Sequence, residues 1–145
     1  MEITTTSAKE TKDFGREILS KLTTEKKPLI IALTGDLGSG KTTFVQGLAR
    51  GLGIKQRILS PTFIIMRQYS IKPKTDFYHI DLYRLENNVE EEMRNLGTGE
   101  IFMEKNNIIV IEWAEKGKKA IPKNAVWIKF ENLGGDKRKI ELVNN

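Results

Sequence analysis

The chain has 145 residues, of which 39% are hydrophobic and 30% charged, and 24 basic against 19 acidic side chains give a formal net charge of +5. This length and composition predict one globular domain, residues 1–145, and exclude a disordered chain. Cysteine is absent and histidine occurs once, which excludes disulfides, thiolate catalysis and metal sites built on cysteines or histidine pairs. Chemistry must therefore use carboxylates, hydroxyls, lysine, arginine and bound ions.

The apolar and basic residues bear on location and on partners. The longest apolar run, Leu29–Leu33, is too short to cross a bilayer, and the first residues lack the basic-then-apolar order of a signal peptide. We therefore expect a cytoplasmic protein without a membrane partner. The net positive charge permits an RNA partner, but a mild excess of lysine more often marks a solvated surface.

The first part of the chain predicts a helix, a buried strand and a second helix. The capping-box spacing of Ser7 and Glu10, followed by apolar residues four apart, favours a helix from Ser7 to about Thr23. Leu29–Thr34 is apolar on both faces, which is typical of a central strand between helices. Apolar residues at helical spacing in Phe44–Gly53 indicate the second helix, with its stop at the glycine.

The rest of the chain predicts two antiparallel strand pairs, a short helical region and one more buried strand. Alternating apolar and polar residues indicate the pairs, and turn-forming residues separate their members. The predicted elements are strands Phe63–Tyr69 and Phe77–Leu82, helices Val89–Leu96 and Glu100–Lys105 with a break at Gly97–Gly99, strand Ile108–Ile111, and a hairpin of Val126–Phe130 and Lys137–Val143. Together with the first part, they predict an α/β fold with a mixed, mainly parallel central sheet.

Residues Gly35–Thr42 match the phosphate-binding pattern G-x-x-x-x-G-K-[ST] at every fixed position. The segment follows a predicted buried strand and precedes a predicted helix, which is the context that the pattern requires. Its glycines let backbone N–H groups surround a phosphate, and the helix N-terminus attracts the same anion. We expect Lys41 to neutralise the β- and γ-phosphates and Thr42 to hold Mg²⁺. The alternative is a glycine-rich structural turn.

Two carboxylates follow predicted strands and can complete such a site, because ligands of α/β sheets lie beyond the carboxyl ends of the strands. Glu112 directly follows the strand Ile108–Ile111, and Asp81 lies near the end of the preceding one. Strand geometry places His79, Asp81 and Tyr83 on one face. A half-exposed edge strand or a solvated acid would give the same pattern, and a lone histidine is more typically a packing residue than a base.

The segment Ser60–Phe63 lies between the glycine-rich loop and these acids. Pro61 excludes helical conformations for Ser60, so the segment is extended and can present the Thr62 hydroxyl to a γ-phosphate or to Mg²⁺. Taken alone, it is a turn.

Taken in this order, the motifs resemble those of the bacterial TsaE (YjeE) family, the small ATPase of the tRNA threonylcarbamoyladenosine modification pathway. The resemblance covers nearly the whole chain, and the ordered set is far more specific than the glycine-rich loop alone. The matching motifs are Gly35–Thr43 as the Walker A loop, Ser60–Phe63 as a switch-like segment, His79–Arg84 as H-x-D-x-Y-R, Ile111–Trp113 as the acid-Trp motif, and Arg138 before Ile140–Leu142. One departure is Ser39, where the family commonly has alanine.

The resemblance implies a P-loop three-layer α/β sandwich and a set of site residues. ATP would lie on Gly38, Ser39, Gly40, Lys41, Thr42 and Thr43, with Thr6, Ser7 and Arg138 near the adenine. Thr42 and Glu112 would coordinate Mg²⁺, and Asp81 would assist hydrolysis or metal binding through water. The catalytic set implied is Asp81, Glu112, Lys41, Trp113 and Thr62, although Trp113 is also explained as a core aromatic.

The resemblance also implies a function. The protein would hydrolyse ATP in complex with TsaD and TsaB and so support transfer of the threonylcarbamoyl group to tRNA, which it would meet mainly through that complex. No arginine finger is identifiable in the sequence, so we expect slow hydrolysis alone and faster hydrolysis with partners.

Two alternatives remain open. The loop also fits a small-molecule kinase, although no arginine-bearing lid is evident. A nucleotide-dependent RNA-binding module would use a series of basic residues, which solubilising charge also explains: Lys116, Lys118, Lys119, Lys123, Lys137, Arg138 and Lys139. The absence of an Asn-Lys-x-Asp sequence disfavours a GTPase.

Overall fold

A mixed seven-stranded sheet with helices on both faces forms the computed structural model, which describes residues 1–22, 27–58 and 65–143. The described elements, in chain order, are β1 Glu2–Thr5, α1 Ala8–Leu22, β2 Leu29–Thr34, α2 Lys41–Gly51, β3 Met66–Lys72, β4 Thr75–Asp81, α3 Val89–Asn95, α4 Thr98–Ile101, β5 Ile108–Glu112, a 3₁₀ segment Ala114–Ala120, β6 Val126–Gly134 and β7 Lys137–Val143.

The strand order is β1-β7-β6-β2-β5-β4-β3. The four central strands β6, β2, β5 and β4 run parallel, while β1, β7 and β3 pair in antiparallel orientation at the two sides. The register places Leu33 and Asp81 on either side of Glu112. The carboxyl ends of β2, β5 and β4 therefore meet at one edge of the sheet, which is where ligands of such sheets bind.

Both faces of the sheet are buried under separate hydrophobic layers. One layer contains Phe44 and Leu48 of α2 packed with Phe14 and Ile18 of α1. The other contains Met93 of α3 and residues around the 3₁₀ segment. The alternating strand side chains thus divide between two cores, which explains why β2 and β5 are apolar on both faces.

The central elements agree with the sequence predictions. The buried strand Leu29–Thr34 is confirmed to the residue, and β5 extends the predicted Ile108–Ile111 by one residue, Glu112. The two predicted antiparallel pairs are β3 with β4 and β6 with β7. Residues 63 and 64, predicted as the start of β3, lie outside the described residues, as do Thr23 and the segment Ser60–Phe63.

Two predictions of local structure are corrected, and one is confirmed. Helix α4 begins at Thr98 and ends at Ile101, so the bounds predicted for it, Glu100–Lys105, are wrong; the break consists of Leu96 and Gly97, and Gly97 takes φ +86° before the helix. Helix α2 ends at Gly51 with Leu52 as its C-cap, and Gly53 follows in a left-handed conformation, so the predicted stop at this glycine is confirmed. Strand β4 ends at Asp81, and it is flanked on both sides rather than half exposed.

Two elements were not predicted. Strand β1 has only four residues, three of them exposed, and pairs with β7 from the far end of the chain. The 3₁₀ segment is mostly charged and bends at Gly117, where a Cβ atom would lie 2.5 Å from the Met93 sulfur. Neither segment has the apolar periodicity on which sequence prediction depends.

The helices of the described residues were also compared with the dimensions of a bilayer. None of them combines the length and the apolar character that spanning a membrane requires.

Candidate functional site

The glycine-rich segment forms the connection from β2 to α2 at the carboxyl edge of the sheet. Gly35, Gly38 and Gly40 have φ angles of +141°, +73° and +101°, a region that side chains disfavour. A Cβ atom on Gly35 would also lie 2.6 Å from the Phe130 carbonyl oxygen. Gly40 precedes α2, and its carbonyl accepts a hydrogen bond from the Phe44 N–H at 2.9 Å. The loop conformation therefore depends on glycine at these positions.

Lys41 directs its ammonium group into this loop. Its Nζ donates to the Gly35 carbonyl, to the Asp36 carbonyl at 2.9 Å and to Ser39 Oγ at 3.3 Å. The residue is only 5% exposed, and burial lowers the pKa of its ammonium group, an effect that nearby acids led by Glu112 oppose. A phosphate in the loop would supply the negative charge that this ammonium lacks.

Glu112 connects the loop to the neighbouring strands. Thr42 Oγ1 donates to its Oε1 at 3.1 Å, and His79 Nε2 lies 2.5 Å from its Oε2. With Glu112 ionised, its carboxylate could only accept hydrogen bonds, and Nε2 would be the donor of this pair. Glu112 is 2% exposed and His79 fully buried, and among the described residues His79 Nδ1 has no hydrogen-bond partner. These two contacts fix both oxygens of the carboxylate.

Asp81 lies beside Glu112 in the parallel register, at the end of β4. Its Oδ1 accepts a hydrogen bond from the Tyr83 N–H at 3.0 Å, while its own N–H donates to the Ile65 carbonyl at 2.8 Å. The carboxylate is 4% exposed. The turn after β4 therefore holds this side chain in place. Asp81 is a second buried acid at the same edge of the sheet as Glu112.

The β6–β7 hairpin contacts the loop from the other side. Asn132 Nδ2 donates to the Gly38 carbonyl at 3.2 Å, and Arg138 Nη1 donates to Asn132 Oδ1 at 3.1 Å and to the Gly135 carbonyl at 2.7 Å. A Cβ atom on Gly40 would lie 3.5 Å from Arg138 Cγ. The Arg138 side chain therefore packs along the loop and holds Asn132 against it.

Two aromatic rings form the rim of the site. The rings of Tyr83 and Trp113 have centroids 5.0 Å apart, and Lys41 Nζ lies 4.3 Å from the Trp113 ring centroid. Trp113 takes φ +57°, a conformation that is uncommon for a bulky residue and directs the chain from β5 into the 3₁₀ segment. Lys116 donates to the Tyr83 carbonyl at 2.6 Å. The rim is therefore both aromatic and cationic.

These groups enclose a cavity of about 440 Å³, a size typical of small-molecule sites. The cavity gathers most of the residues that the sequence predicted for nucleotide binding, metal binding and catalysis, although those roles stay predictions. Its lining consists of Leu37, Gly38, Ser39, Gly40, Lys41, Thr42, Thr43, Asp81, Tyr83, Glu112, Trp113 and Arg138.

Two predicted site residues, Thr6 and Ser7, do not line this cavity. A third, Thr62, lies outside the described residues. Thr6 and Ser7 cap α1 through Glu10: the Glu10 N–H donates to Ser7 Oγ at 3.1 Å, and the Thr6 N–H donates to Glu10 Oε1 at 3.1 Å. Both residues follow Thr5 of β1, which pairs with Arg138 of β7. They therefore lie at the same edge of the sheet as the cavity but do not line it.

Sequence reasoning missed two polar partners of the site. His79 was expected to be a hydrogen-bonded packing residue on the same face as Asp81, which its burial and its contact with Glu112 confirm, but the sequence did not identify Glu112, which it shares with Thr42, as its partner. Asn132 gave no sequence signal, because its contact with Gly38 joins residues 94 positions apart.

The oxygen atoms at the site fit a magnesium ion. Mg²⁺ prefers oxygen ligands, needs few of them from the protein and takes others from phosphates. Thr42 and Glu112 supply a hydroxyl and a carboxylate side by side. Within residues 1–22, 27–58 and 65–143, no group of three acidic or histidine side chains could hold a metal without further ligands. The donor set therefore suits a cation that arrives with a phosphate.

Comparisons with known proteins agree with the motifs. A family model described as threonylcarbamoyl adenosine biosynthesis protein TsaE matches residues 5–140. The tRNA threonylcarbamoyladenosine biosynthesis protein TsaE of Haemophilus influenzae is 39% identical over 127 residues, covering 88% of this chain and 77% of that protein. The protein of that name from Treponema pallidum is 34% identical over 143 residues, covering 99% and 100%.

A solved structure is similar over almost the whole chain. The crystal structure of Bacillus subtilis YdiB superposes with a TM-score of 0.73 and 29% identity, covering 98% of this chain and 83% of that one. The predicted fold class, a P-loop three-layer α/β sandwich with a mixed, mainly parallel sheet, is thereby confirmed.

Proposed function

Because the chain belongs to the TsaE family, we propose that it is a Mg²⁺-dependent ATPase that acts with TsaD and TsaB in the biosynthesis of threonylcarbamoyladenosine on tRNA. Family membership establishes the pathway. The nucleotide, the metal and the two partner proteins are the proposal, and the contacts at the carboxyl edge of the sheet support them.

One observation carries the proposal. A Walker lysine and a threonine hydroxyl lie at the start of α2, and the threonine is hydrogen-bonded to a buried glutamate on the adjacent strand. Sites that bind nucleoside triphosphates with Mg²⁺ need this combination of cation, hydroxyl and strand-end acid. A structural glycine turn would require neither the lysine nor the buried acid.

Phosphate binding follows from the loop and from Lys41. The α2 N-terminus and the loop N–H groups attract the phosphates, and the Lys41 ammonium exchanges the Gly35 and Asp36 carbonyls for phosphate oxygens. Thr42 and Glu112 would hold the Mg²⁺ ion, which when bound neutralises charge on the phosphates. His79 retains Oε2 of Glu112, so the carboxylate keeps its orientation.

Hydrolysis requires a positioned water and stabilisation of negative charge. Asp81 lies beside Glu112 and would orient the water, while Trp113 and Tyr83 shield the rim from bulk solvent. The cations in the cavity lining are Lys41 and Arg138, and the Arg138 guanidinium is held by Asn132 and Gly135. Among the described lining residues the only arginine is Arg138, which these contacts hold in place, so turnover is expected to be slow until a partner contributes an arginine.

The experiment measures ATP turnover by the purified protein with and without TsaD–TsaB. We expect the partners to accelerate turnover at least about tenfold, and Glu112→Ala or Asp81→Ala to lower the accelerated rate about a hundredfold. Lys41→Ala is expected to abolish calorimetric binding of ATP and ADP while leaving the thermal unfolding transition cooperative.

The matched control is Lys123→Ala, which removes one surface lysine far from the cavity and should leave nucleotide affinity and turnover unchanged. If the partners do not alter turnover, the proposed complex is wrong. Full activity in both acid variants would refute the assigned roles of the carboxylates.

A further inference from the structure

A second cavity, of about 390 Å³, lies on the helical face of the molecule beside α1 and α2 and shares no residue with the nucleotide cavity. Among the described residues, eight line it, of which four are basic and none is acidic. The lining consists of Lys12, Gln46, Ala49, Arg50, Lys55, Gln56, Arg57 and Ile58. A concave surface with four cations and no carboxylate is suited to a polyanion.

Within the described part of the chain, these four charges form no salt bridge. Lys12, Arg50, Lys55 and Arg57 are all exposed, whereas the floor of the cavity, Ala49 and Ile58, is buried. Among the described residues, the salt bridges involve Lys9, His79 and Lys139, and none of these four cations. The charges therefore remain available to a ligand at no cost to internal ion pairs.

The cations converge because two helices cross closely. A Cβ atom on Gly47 would lie 2.0 Å from the Lys12 carbonyl oxygen, so the α1 backbone rests against α2 at this glycine. The crossing brings Lys12 beside the α2 surface that carries Gln46 and Arg50, and the chain after α2 adds Lys55 and Arg57. The crossing therefore holds the backbone of Lys12 against α2 and brings this lysine beside the other three cations.

We propose that this cavity binds the phosphodiester backbone of RNA. Two guanidinium groups can each grip a phosphate through two parallel hydrogen bonds, two ammonium groups add charge, and the Gln46 and Gln56 amides can bond sugar or phosphate oxygens. The choice of RNA over an acidic protein rests on the proposed function, in which the pathway acts on tRNA. A concave lining also suits a protruding phosphate chain better than a flat protein surface.

This site differs from the basic series considered from the sequence. Most of that series lies in the 3₁₀ segment or the final hairpin, and the cavity with Lys118, Lys119 and Lys123 lies at the start of β6. The sheet separates that surface from the α1–α2 face, because the two belong to different hydrophobic cores. The 3₁₀ surface therefore provides a matched control of equal charge.

The test measures binding of unmodified tRNA to the full chain over a series of salt concentrations. We expect Arg50→Gln with Arg57→Gln to weaken binding about tenfold or more and to reduce the salt dependence, d log K/d log[salt], by about 1.5. Lys118→Gln with Lys119→Gln removes the same charge from the opposite face and is expected to change affinity less than twofold. Thermal unfolding and ADP affinity establish that each variant retains its fold.

Each other outcome overturns the proposal. Equal losses in the two double variants would mean that RNA senses only net charge, and no loss in either would place RNA elsewhere. Displacement of tRNA by millimolar inorganic phosphate would show a site for free anions. If Arg50→Gln with Arg57→Gln weakens binding to TsaD–TsaB but not to tRNA, the cavity is a protein interface.

Lys41→Ala distinguishes RNA binding from the proposed ATPase function. This variant is expected to lose nucleotide binding and to retain tRNA binding.

Discussion

The contact between His79 and Glu112 explains how the carboxylate at the end of β5 is kept in one orientation. Both residues are buried, their atoms are 2.5 Å apart, and the other glutamate oxygen accepts from Thr42. A carboxylate held at both oxygens has lost its rotational freedom before any ligand arrives. Such outer contacts are known to tune metal affinity through the ligand that they orient. His79 is therefore a positioning residue and not a catalytic one.

Replacement of His79 should weaken the response to Mg²⁺. In His79→Ala the Glu112 Oε2 atom loses its donor, and we expect the Mg²⁺ concentration at half-maximal ATP turnover to rise about tenfold. His79→Gln retains an N–H donor and should restore most of the wild-type Mg²⁺ response. Turnover is measured against Mg²⁺ concentration at saturating ATP, at a temperature where both variants are folded.

A merely structural role for His79 would lower the folded fraction without moving the Mg²⁺ midpoint. Identical midpoints in wild type and His79→Ala would therefore contradict the positioning role. The glutamine variant keeps the test informative, because removal of one partner from a buried pair is often strongly destabilising.

At the scale of elements, the crossing of α1 and α2 positions the basic cavity. Glycines at the crossing allow the helix backbones to touch: a Cβ atom on Gly15 would lie 2.4 Å from the Phe44 carbonyl oxygen, and one on Gly47 would lie 2.0 Å from the Lys12 carbonyl oxygen. Because helix backbones cannot adjust as flexible side chains do, an added methyl group must push the helices apart.

Gly47→Ala should therefore destabilise the protein, despite the higher helix propensity of alanine. We expect a loss of about 2–3 kcal/mol in the free energy of unfolding, measured by urea titration. Gly99→Ala is the matched control, since Gly99 lies in α4 and its Cβ atom would meet nothing within 4 Å. That variant should be neutral or more stable by up to about 1 kcal/mol. Equal effects of the two substitutions would show that the crossing tolerates the methyl group.

The sequence predicted best those elements whose environment is uniform along their length. Leu29–Thr34 and Ile108–Ile111 are buried on both faces, so their apolar runs have one interpretation. Strand β1 was not predicted because its stability comes from pairing with β7, at the opposite end of the chain. The 3₁₀ segment was not predicted because its buried residues, Ala114 and Gly117, are too small to give an apolar pattern.

The same distinction applies to the site. The loop with Lys41 and Thr42 is a local pattern, and Glu112 was found because a strand-end acid is expected beside such a loop. Asn132 depends on a contact 94 residues away, and no local pattern indicates it. The basic cavity beside α1 and α2 also escaped prediction, because its cations come from three separate segments. Long-range convergence is the part that only the folded chain reveals.

At the scale of the whole molecule, the parallel sheet concentrates charge at one edge. Loss of hydration there moves two pKa values in opposite directions. Burial lowers the pKa of the Lys41 ammonium, and partial desolvation of the exposed Glu115 side chain raises the pKa of its carboxyl. For Glu115, a hydrogen bond to its own backbone N–H and the positive charges of Lys41 and Lys116 oppose the effect of burial. In both residues the charged form is disfavoured by folding, so the edge costs the free protein some stability.

The effect of Glu115 on stability should depend on pH in a defined direction. Its pKa in the folded protein is raised above 4.5, so the folded state binds more protons than the unfolded state just above that pH. The contribution is fully present below the unfolded pKa and is lost as pH rises through the folded pKa. Glu115→Gln is neutral at every pH, and we therefore expect it to raise the melting temperature at pH 7 relative to wild type.

The melting temperatures of the two proteins should converge as the pH falls below about 4, where both side chains are uncharged. Thermal unfolding followed by circular dichroism across this range gives the comparison. Glu104→Gln provides the control, because Glu104 is an exposed acid that precedes β5, whereas the charged edge lies at the other end of that strand. If Glu115→Gln instead lowers the melting temperature at pH 7, the attraction of the Glu115 carboxylate to Lys41 and Lys116 exceeds the free-energy cost of its desolvation. The charged edge of the sheet would then stabilise the protein even in the absence of a ligand.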